Sequence, residues 1–269
     1  MPDIADIPVV ILCGGKGLRI REISELLPKP MLQIGDRPIL WHIMKGYAHF
    51  GFRKFILCLG YKGEVIRDYF LNIHANNQDV TLDFNGEDGP PSLRYHGEND
   101  GSRDWSVTLA ETGANTMTGG RVARIASYLD QPHFMLTYGD GVGNVDLAAT
   151  LAWHREHDAM VTVTGVRPQS RFGQLDLDGD QVTQFTEKPQ TPDGYVSGGF
   201  MVIERTFIDR YLSDSKTCVL EKDGLTRAAV DGEMTIYRHD DFWMPMDNSL
   251  EYLALNAMWT SGEAPWKVW

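Results

Sequence analysis

The chain has 269 residues, of which 42% are hydrophobic and 23% are charged, a composition that excludes wholesale disorder and suits a globular protein with its own core. Lys and Arg number 25 and Asp and Glu number 37, so the net charge is −12. This charge argues against a protein that coats nucleic acid, although it allows a local basic pocket for a small phosphorylated ligand.

The first part of the chain alternates between predicted strands and helices. Residues 9–13 form an apolar run that ends in two glycines, which is typical of a buried parallel strand. Apolar residues at helical spacing follow Pro38 over residues 40–47. A second strand is predicted over residues 54–59 and a second helix over residues 64–70. This order predicts an α/β fold with a doubly wound sheet.

A long excursion at about residues 72–104 interrupts this alternation. It is rich in Asn, Asp, Gly and Pro, with one predicted strand near residues 80–84. Alternation then resumes. Helices are predicted over residues 121–129, 145–157, 221–230 and 248–259, and strands over residues 133–138, 160–166, 198–203 and 234–238. A hairpin is predicted from residues 172–177 and 181–186, which flank a Gly-Asp turn, and Asn248 or Ser249 is the expected cap of the last helix.

The cysteines and the apolar runs indicate the cellular compartment in which the protein is expected. Cys13, Cys58 and Cys218 are far apart in sequence, which fits neither a disulfide framework nor a zinc site. The acidic N-terminal segment lacks the pattern of a signal peptide, and no apolar run approaches the roughly 18 residues of a membrane span. We therefore expect a reduced, cytoplasmic setting without membrane association.

A glycine-rich loop follows the first predicted strand. In open α/β sheets, ligands bind beyond the carboxyl ends of strands, and glycines there let backbone N–H groups approach phosphate oxygens. Gly14, Gly15 and Gly17 with Arg19 therefore predict a phosphate site, the alternative being an ordinary turn. The dinucleotide fingerprint fails at Ile20, and a Walker A motif does not occur.

Lys29 lies between two prolines. Pro28 and Pro30 restrict the backbone, so the lysine is expected in a stiff, extended segment. A rigidly placed positive charge suits a phosphate whose charge grows in the transition state. The alternative is a stiff surface loop with a solvated lysine.

Two carboxylates are candidates for a metal site. Asp140 ends a predicted strand between two glycines, and Asp247 precedes the last predicted helix. Carboxylates in such places bind Mg²⁺ together with substrate phosphates. Each has an alternative: a turn aspartate for Asp140 and a helix cap for Asp247. Their sequence spacing does not by itself put them on one metal.

Several motifs, taken in order, carry a resemblance. They are Val-Ile-Leu-Cys-Gly-Gly-Lys-Gly-Leu-Arg (10–19), Pro-Lys-Pro-Met (28–31), Tyr-Gly-Asp-Gly (138–141), Glu-Lys-Pro (187–189) and Gly-Gly-Phe (198–200). The chain resembles the sugar-1-phosphate nucleotidyltransferases nearly end to end. At residues 117–121 it has Met-Thr-Gly-Gly-Arg, as in the members that use CTP, and lacks the segment typical of the thymidylyltransferases.

The resemblance implies a Rossmann-like, mixed, mostly parallel sheet with helices on both faces. It implies one domain over residues 1–269, including the excursion and a C-terminal part from about residue 205 for sugar binding and oligomerisation. It also implies a homo-oligomer; the tryptophans near the C-terminus would suit an interface or ordinary core packing. The implied reaction is transfer of a cytidylyl group from CTP to a hexose 1-phosphate, glucose 1-phosphate first, with Mg²⁺ as cofactor.

The resemblance also implies site residues, grouped here by role. The nucleotide would be held by Leu12, Cys13, Gly14, Gly15, Gly17, Thr116, Arg121 and Gly139. The catalytic cations on the triphosphate would be Arg19 and Lys29, and the Mg²⁺ ligands Asp140 and Asp247. The sugar phosphate would be bound by Arg171, Gly173, Lys188, Ser197 and Gly198.

The chain departs from the family pattern at four positions, one of which is Ile20 in place of a leucine of the glycine-rich loop. Leu18 replaces a threonine of the glycine-rich loop, Leu27 replaces a basic residue, and Ser197 replaces an asparagine near the sugar. These departures leave two alternatives open. One is a nucleotidyltransferase for another sugar 1-phosphate, or for dTTP or UTP. The other is a non-catalytic relative that binds nucleotide sugars.

Overall fold

A computed structural model describes residues 3–15, 27–84, 90–96, 104–168, 174–186 and 194–269, without the side chains of residues 174–178 and 185–186. The strands are β1 Pro8–Leu12, β2 Gln33–Ile34, β3 Arg37–Pro38, β4 Lys54–Leu59, β5 Asp79–Asp83, β6 Ser92–His96, β7 Ser106–Glu111, β8 His133–Tyr138, β9 Gly141–Gly143, β10 Val161–Val166, β11 Gln174–Asp178, β12 Gln181–Thr186, β13 Val196–Glu204, β14 Met234–His239 and β15 Trp243–Pro245. The α-helices are α1 Ile39–His49, α2 Gly63–Leu71, α3 Thr118–Arg124, α4 Leu147–Glu156, α5 Thr206–Tyr211, α6 Thr226–Val230 and α7 Ser249–Ser261.

Seven strands form the central sheet in the order β14-β10-β13-β8-β1-β4-β7. β13 is antiparallel to its neighbours β10 and β8, and the other neighbouring pairs are parallel. The expected mixed, mostly parallel sheet is therefore confirmed. Because β8, β1, β4 and β7 run the same way, their carboxyl ends meet at one edge of the sheet.

Helices cover both faces of this sheet, as expected. Side chains alternate along a strand, so Val9 and Ile11 enter one core while Val10 and Leu12 enter the other. The first core also receives buried residues of α1, α2, α4 and α7, and the second those of α3, α5 and α6. Trp266 lies in the first core with 1% of its surface exposed, so this C-terminal tryptophan serves core packing.

Two predicted helices differ from the observed ones. The helix predicted over residues 121–129 begins earlier, at Thr118, ends at Arg124 and is followed by a 3₁₀ turn at Ala126–Tyr128. The helix predicted over residues 221–230 is a π-helical segment, Leu220–Leu225, that continues into α6. No helix in the described ranges combines the length and the hydrophobicity that a membrane span requires.

β6 and β7 were not predicted from the sequence. β7 is the edge strand of the central sheet, and β6 pairs with β5, the predicted strand of the excursion. Both strands mix polar and apolar residues and are largely accessible, because only Ala110 in them is buried. Such strands lack the continuous apolar run that marks a strand covered on both faces.

Candidate active site

A cavity of about 600 Å³ opens at the carboxyl ends of β1 and β8 and beside the first turn of α3. Its size is that of a small-molecule site, and its position is the one in which open α/β sheets bind ligands. The lining residues are Leu12, Cys13, Gly14, Gly15, Lys29, Pro30, Ala114, Asn115, Thr116, Met117, Thr118, Arg121, Tyr138, Gly139, Asp140 and Asp247.

Arg121 holds the segment after β1 against the ends of two other strands. Its guanidinium donates to the carbonyl of Gly14 at 3.0 Å, the carbonyl of Leu59 at 2.8 Å and the hydroxyl of Thr112 at 2.7 Å. Gly14 and Gly60 leave room for it, since a Cβ on either glycine would collide with the guanidinium. The residue expected to contact the nucleotide therefore also fixes the first part of the nucleotide loop.

Burial shifts the pKa values of Arg121 and Cys13, which both line the cavity. Arg121 is only 4% exposed, and its burial lowers its pKa, although a guanidinium keeps its charge. Burial, with the adjacent Cys58, raises the pKa of the Cys13 thiol. Cys13 is thus an un-ionised residue of the core.

Lys29 is buried, contrary to the alternative of a solvated surface lysine. The expectation of an extended segment is also wrong at Lys29 itself: Pro28 is extended, but Lys29–Met31 forms a 3₁₀ turn. This turn is closed by hydrogen bonds from Met31 N to Pro28 O at 2.8 Å and from Leu32 N to Lys29 O at 3.1 Å. The flanking prolines stiffen the turn and aim the side chain into the cavity.

The Lys29 ammonium lies between the two predicted metal ligands. Its Nζ is 2.7 Å from Oδ2 of Asp140 and 2.5 Å from Oδ1 of Asp247, and its side chain is 10% exposed. Burial alone lowers the pKa of Lys29, but the two carboxylates outweigh it and hold the pKa above its usual value. The lysine is therefore firmly protonated.

A short strand pair brings the two aspartates together. β9 and β15 are antiparallel with Gly141 opposite Pro245, and the hydrogen bond from Met246 N to Asp140 O continues this pairing by one step. The α7 cap is Asn248, whose side chain accepts from Glu251 N. Asp247 is therefore not the helix cap, and its carboxylate is directed to the cavity.

The two carboxylates fit the expected magnesium ion. Oxygens from both contact one cation, the Lys29 ammonium, so they already converge on a shared position. Among the described residues there is no group of three or more His, Cys, Asp or Glu that could hold a metal. Two carboxylates plus substrate phosphates are a donor set that suits Mg²⁺, which usually retains ligands from outside the protein.

The sequence did not point to one acidic residue at the rim of the cavity. Glu221 accepts hydrogen bonds from the hydroxyls of Tyr138 at 2.5 Å and Thr118 at 2.7 Å, both of which line the cavity. Burial, followed by the charge of Glu221, raises the pKa of Tyr138. Glu221 thus joins the end of β8 to the start of α3. Its chain position, in a predicted helix, gave no signal of this.

The remaining predicted residues fall into three groups. Thr116 and Gly139 line the cavity, and Thr116 accepts a 2.8 Å hydrogen bond from Arg124. Ser197 and Gly198 lie at the start of β13 and are not among the lining residues. The others lie outside the described residues: Gly17, Arg19, Arg171, Gly173 and Lys188.

Comparison with known proteins defines the class. The nucleotidyl transferase family model matches residues 8–257, and the chain belongs to this family. It is 41% identical over 261 residues to a glucose-1-phosphate cytidylyltransferase of Salmonella typhi, covering 97% of this chain and 98% of that protein. It is 40% identical over 260 residues to a probable glucose-1-phosphate cytidylyltransferase of Bacillus subtilis, covering 97% and 99%.

Solved structures share the fold at lower sequence identity. HddC from Yersinia pseudotuberculosis superposes with a TM-score of 0.66 at 22% identity, covering 94% of this chain and 99% of that one. A UDP-glucose pyrophosphorylase from Acinetobacter baumanii gives a TM-score of 0.66 at 15% identity, covering 97% and 95%. At these identities the likeness concerns the fold alone.

Proposed function

We propose that the protein transfers the cytidylyl group of CTP to glucose 1-phosphate, giving CDP-glucose and pyrophosphate. The observation that carries the proposal is the convergence of Lys29, Asp140 and Asp247 in a cavity bounded by Gly14 and Gly15. The choice of CTP and glucose 1-phosphate is supported by identities of 40–41% over nearly the whole chain to relatives of that name.

The reaction needs positioning and charge stabilisation more than proton transfer. The phosphate oxygen of the sugar is anionic near neutral pH, so no general base is required. It forms a bond to the α-phosphorus of CTP while the bond from that phosphorus to the bridging oxygen breaks and pyrophosphate leaves in line. The task of the protein is to hold two polyanions together despite their repulsion.

Named residues perform this task in the proposal. Gly14 and Gly15 present backbone next to the phosphates, where a side chain would obstruct a close approach. Lys29 donates to the phosphates and balances the charge of the departing pyrophosphate. Asp140 and Asp247 would hold Mg²⁺, which when bound neutralises phosphate charge.

Further roles are proposed for residues grouped by the substrate that they would contact. On the nucleotide side, Thr116 and Arg121 would contact CTP, joined by Arg19 on the triphosphate. On the sugar side, we propose that the sugar phosphate is bound by Arg171, Gly173, Lys188, Ser197 and Gly198. The part from about residue 205 would contribute to sugar binding and to a homo-oligomer.

A substrate grid tests the proposal. Purified protein with Mg²⁺ is assayed for pyrophosphate release with each of CTP, UTP, dTTP, ATP and GTP against several hexose 1-phosphates. We expect the highest kcat/KM for CTP with glucose 1-phosphate. A preference for dTTP or UTP, or for another sugar, would replace the substrate assignment. Nucleotide binding without turnover on any pair would instead identify a non-catalytic relative.

A further inference from the structure

We infer that Lys29 is a placeholder cation: it occupies the carboxylates of Asp140 and Asp247 until the phosphates of a nucleotide take over its ammonium. Binding of a divalent metal to this site is therefore suppressed in the nucleotide-free protein and coupled to nucleotide binding. The inference rests on the proposed metal role of the two aspartates.

The Lys29 ammonium and a divalent metal compete for the oxygens at which the two carboxylates converge. The Lys29 ammonium contacts one oxygen of each aspartate, at 2.7 Å and 2.5 Å, and these are the oxygens through which the pair converges. Two positive charges that share these oxygens repel each other at short range in a half-buried site. A divalent ion binds well here only after the ammonium has moved.

The backbone segments that carry the three charged groups are held by packing and hydrogen bonding. A Cβ on Gly139, next to Asp140, would lie 3.0 Å from Cγ of Pro30, so the Lys29 turn packs directly on the backbone that carries the aspartate. On the other side, Asp247 N donates a 2.6 Å hydrogen bond to Glu251. Because the backbone on both sides is fixed, forming this ion pair costs less conformational entropy than forming a pair between flexible surface segments.

The charge of the site also depends on Lys29. With Lys29 in place the three groups carry a net charge of −1, and without it the carboxylate pair carries −2. The site with a net charge of −1 attracts a divalent cation less strongly than the site with a charge of −2. Nucleotide phosphates offer Lys29 new acceptors and release the carboxylates. Linkage requires that nucleotide then raises metal affinity by the same factor by which metal raises nucleotide affinity.

Binding of Mn²⁺ alone tests the inference without any turnover. Free Mn²⁺ is titrated by electron paramagnetic resonance against nucleotide-free wild type, Lys29→Met and Lys29→Arg. We expect Lys29→Met to bind Mn²⁺ tighter by about tenfold or more, because one adjacent positive charge is gone. Lys29→Arg, which keeps the charge, should stay close to wild type. Lys29→Gln is the second neutral variant, used if Lys29→Met does not fold.

Lys54→Met is the matched control. Lys54 also pairs with two carboxylates, Asp6 at 3.1 Å and Asp130 at 3.8 Å, but it lies at the amino end of β4, away from the cavity. Its removal should leave Mn²⁺ affinity unchanged. Equal Mn²⁺ affinity in wild type and Lys29→Met would overturn the placeholder role. To separate this from a failure of the metal assignment, Asp140→Asn is added to Lys29→Met. If the added substitution does not weaken Mn²⁺ binding, the aspartates are not the metal ligands.

Discussion

The backbone N–H of Met246 donates a 2.8 Å hydrogen bond to the carbonyl oxygen of Asp140. This bond continues the pairing of β9 with β15 and joins a segment that follows β8 to the segment that starts α7. Because the bond involves Asp140 itself and the residue before Asp247, it brings both carboxylates to one side of the cavity. The proposed metal site therefore depends on a backbone contact as well as on two side chains.

Replacing either aspartate by asparagine should slow the reaction strongly while leaving the fold intact. Asp140→Asn or Asp247→Asn keeps the side-chain shape but removes a metal-binding charge. We expect kcat/KM to fall by about 100-fold or more, since a bound metal supplies several kcal/mol of charge stabilisation. Steady-state pyrophosphate release measures the effect. Asp209→Asn, at an exposed surface ion pair with Arg205, is the control and should be fully active.

Two neighbouring glycines should respond differently to the same substitution. A Cβ on Gly14 would collide with the guanidinium of Arg121, whereas a Cβ on Gly15 would meet nothing within 4 Å. Gly14→Ala should therefore displace Arg121 and lower both thermal stability and nucleotide affinity. Gly15→Ala should leave the melting temperature unchanged. Any defect of the Gly15→Ala variant should therefore be confined to nucleotide binding. Equal melting temperatures for the two variants would contradict the described packing.

Arg121 should contribute to stability as well as to binding. Arg121→Lys keeps a positive charge but cannot reach three acceptors with a planar fork. We expect the free energy of unfolding to fall by about 3 kcal/mol, because buried acceptors lose charged donors. Urea unfolding measures this change. The control is Arg205→Lys, at a surface pair, for which a change below about 0.5 kcal/mol is expected. An equally small change for Arg121→Lys would mean that its hydrogen bonds add little to stability.

The buried His42 should make stability depend on pH. The Trp266 indole donates to its Nδ1 at 3.4 Å, and its Nε2 lies 3.0 Å from the carbonyl of Ile34, so the neutral ring fits both partners. Burial, only partly offset by the Ile34 hydrogen bond, lowers the pKa of His42 from 6.5 to about 4. Between about pH 4 and pH 6.5, His42 therefore binds a proton in the unfolded chain but not in the folded chain.

The sign of the effect follows from this difference. Stability is complete above the unfolded pKa and is lost as the pH falls from about 6.5 to about 4, by about 3 kcal/mol in total. Urea unfolding across this range should show a shallower pH dependence in His42→Gln, whose amide can donate and accept in the same places. His49→Gln, at an exposed histidine, should follow wild type. Identical slopes for wild type and His42→Gln would exclude His42 as the source.

The sequence predicted the sheet well where strands are apolar and buried. β4 and β8 were predicted with the bounds observed, because each is a short apolar run. β7 was missed because an edge strand mixes polar and apolar residues. The split of the predicted helix at residues 221–230 into a π-helix and α6 had no local signal, since the same residues suit either form.

The sequence could predict which residues belong to the site, but not how these residues are arranged in space. Lys29, Asp140 and Asp247 stood out by their positions near prolines and at element ends, yet their convergence depends on β9 and β15 pairing across a large sequence distance. Local patterns carry no such information. Glu221 was missed for the same reason, because only the fold brings it to Tyr138 and Thr118.

We propose that the cytidylyl group is joined to the sugar phosphate in this cavity. Phosphorus NMR of protein with CTP, glucose 1-phosphate and Mg²⁺ follows every phosphorus atom in the mixture. We expect the two coupled signals of CDP-glucose to rise in step with pyrophosphate, and to rise at least about 100-fold more slowly with Asp140→Asn. The proposed reaction would be wrong if the wild type released inorganic phosphate in place of pyrophosphate. The proposed role of Asp140 would be wrong if Asp140→Asn formed CDP-glucose at the wild-type rate.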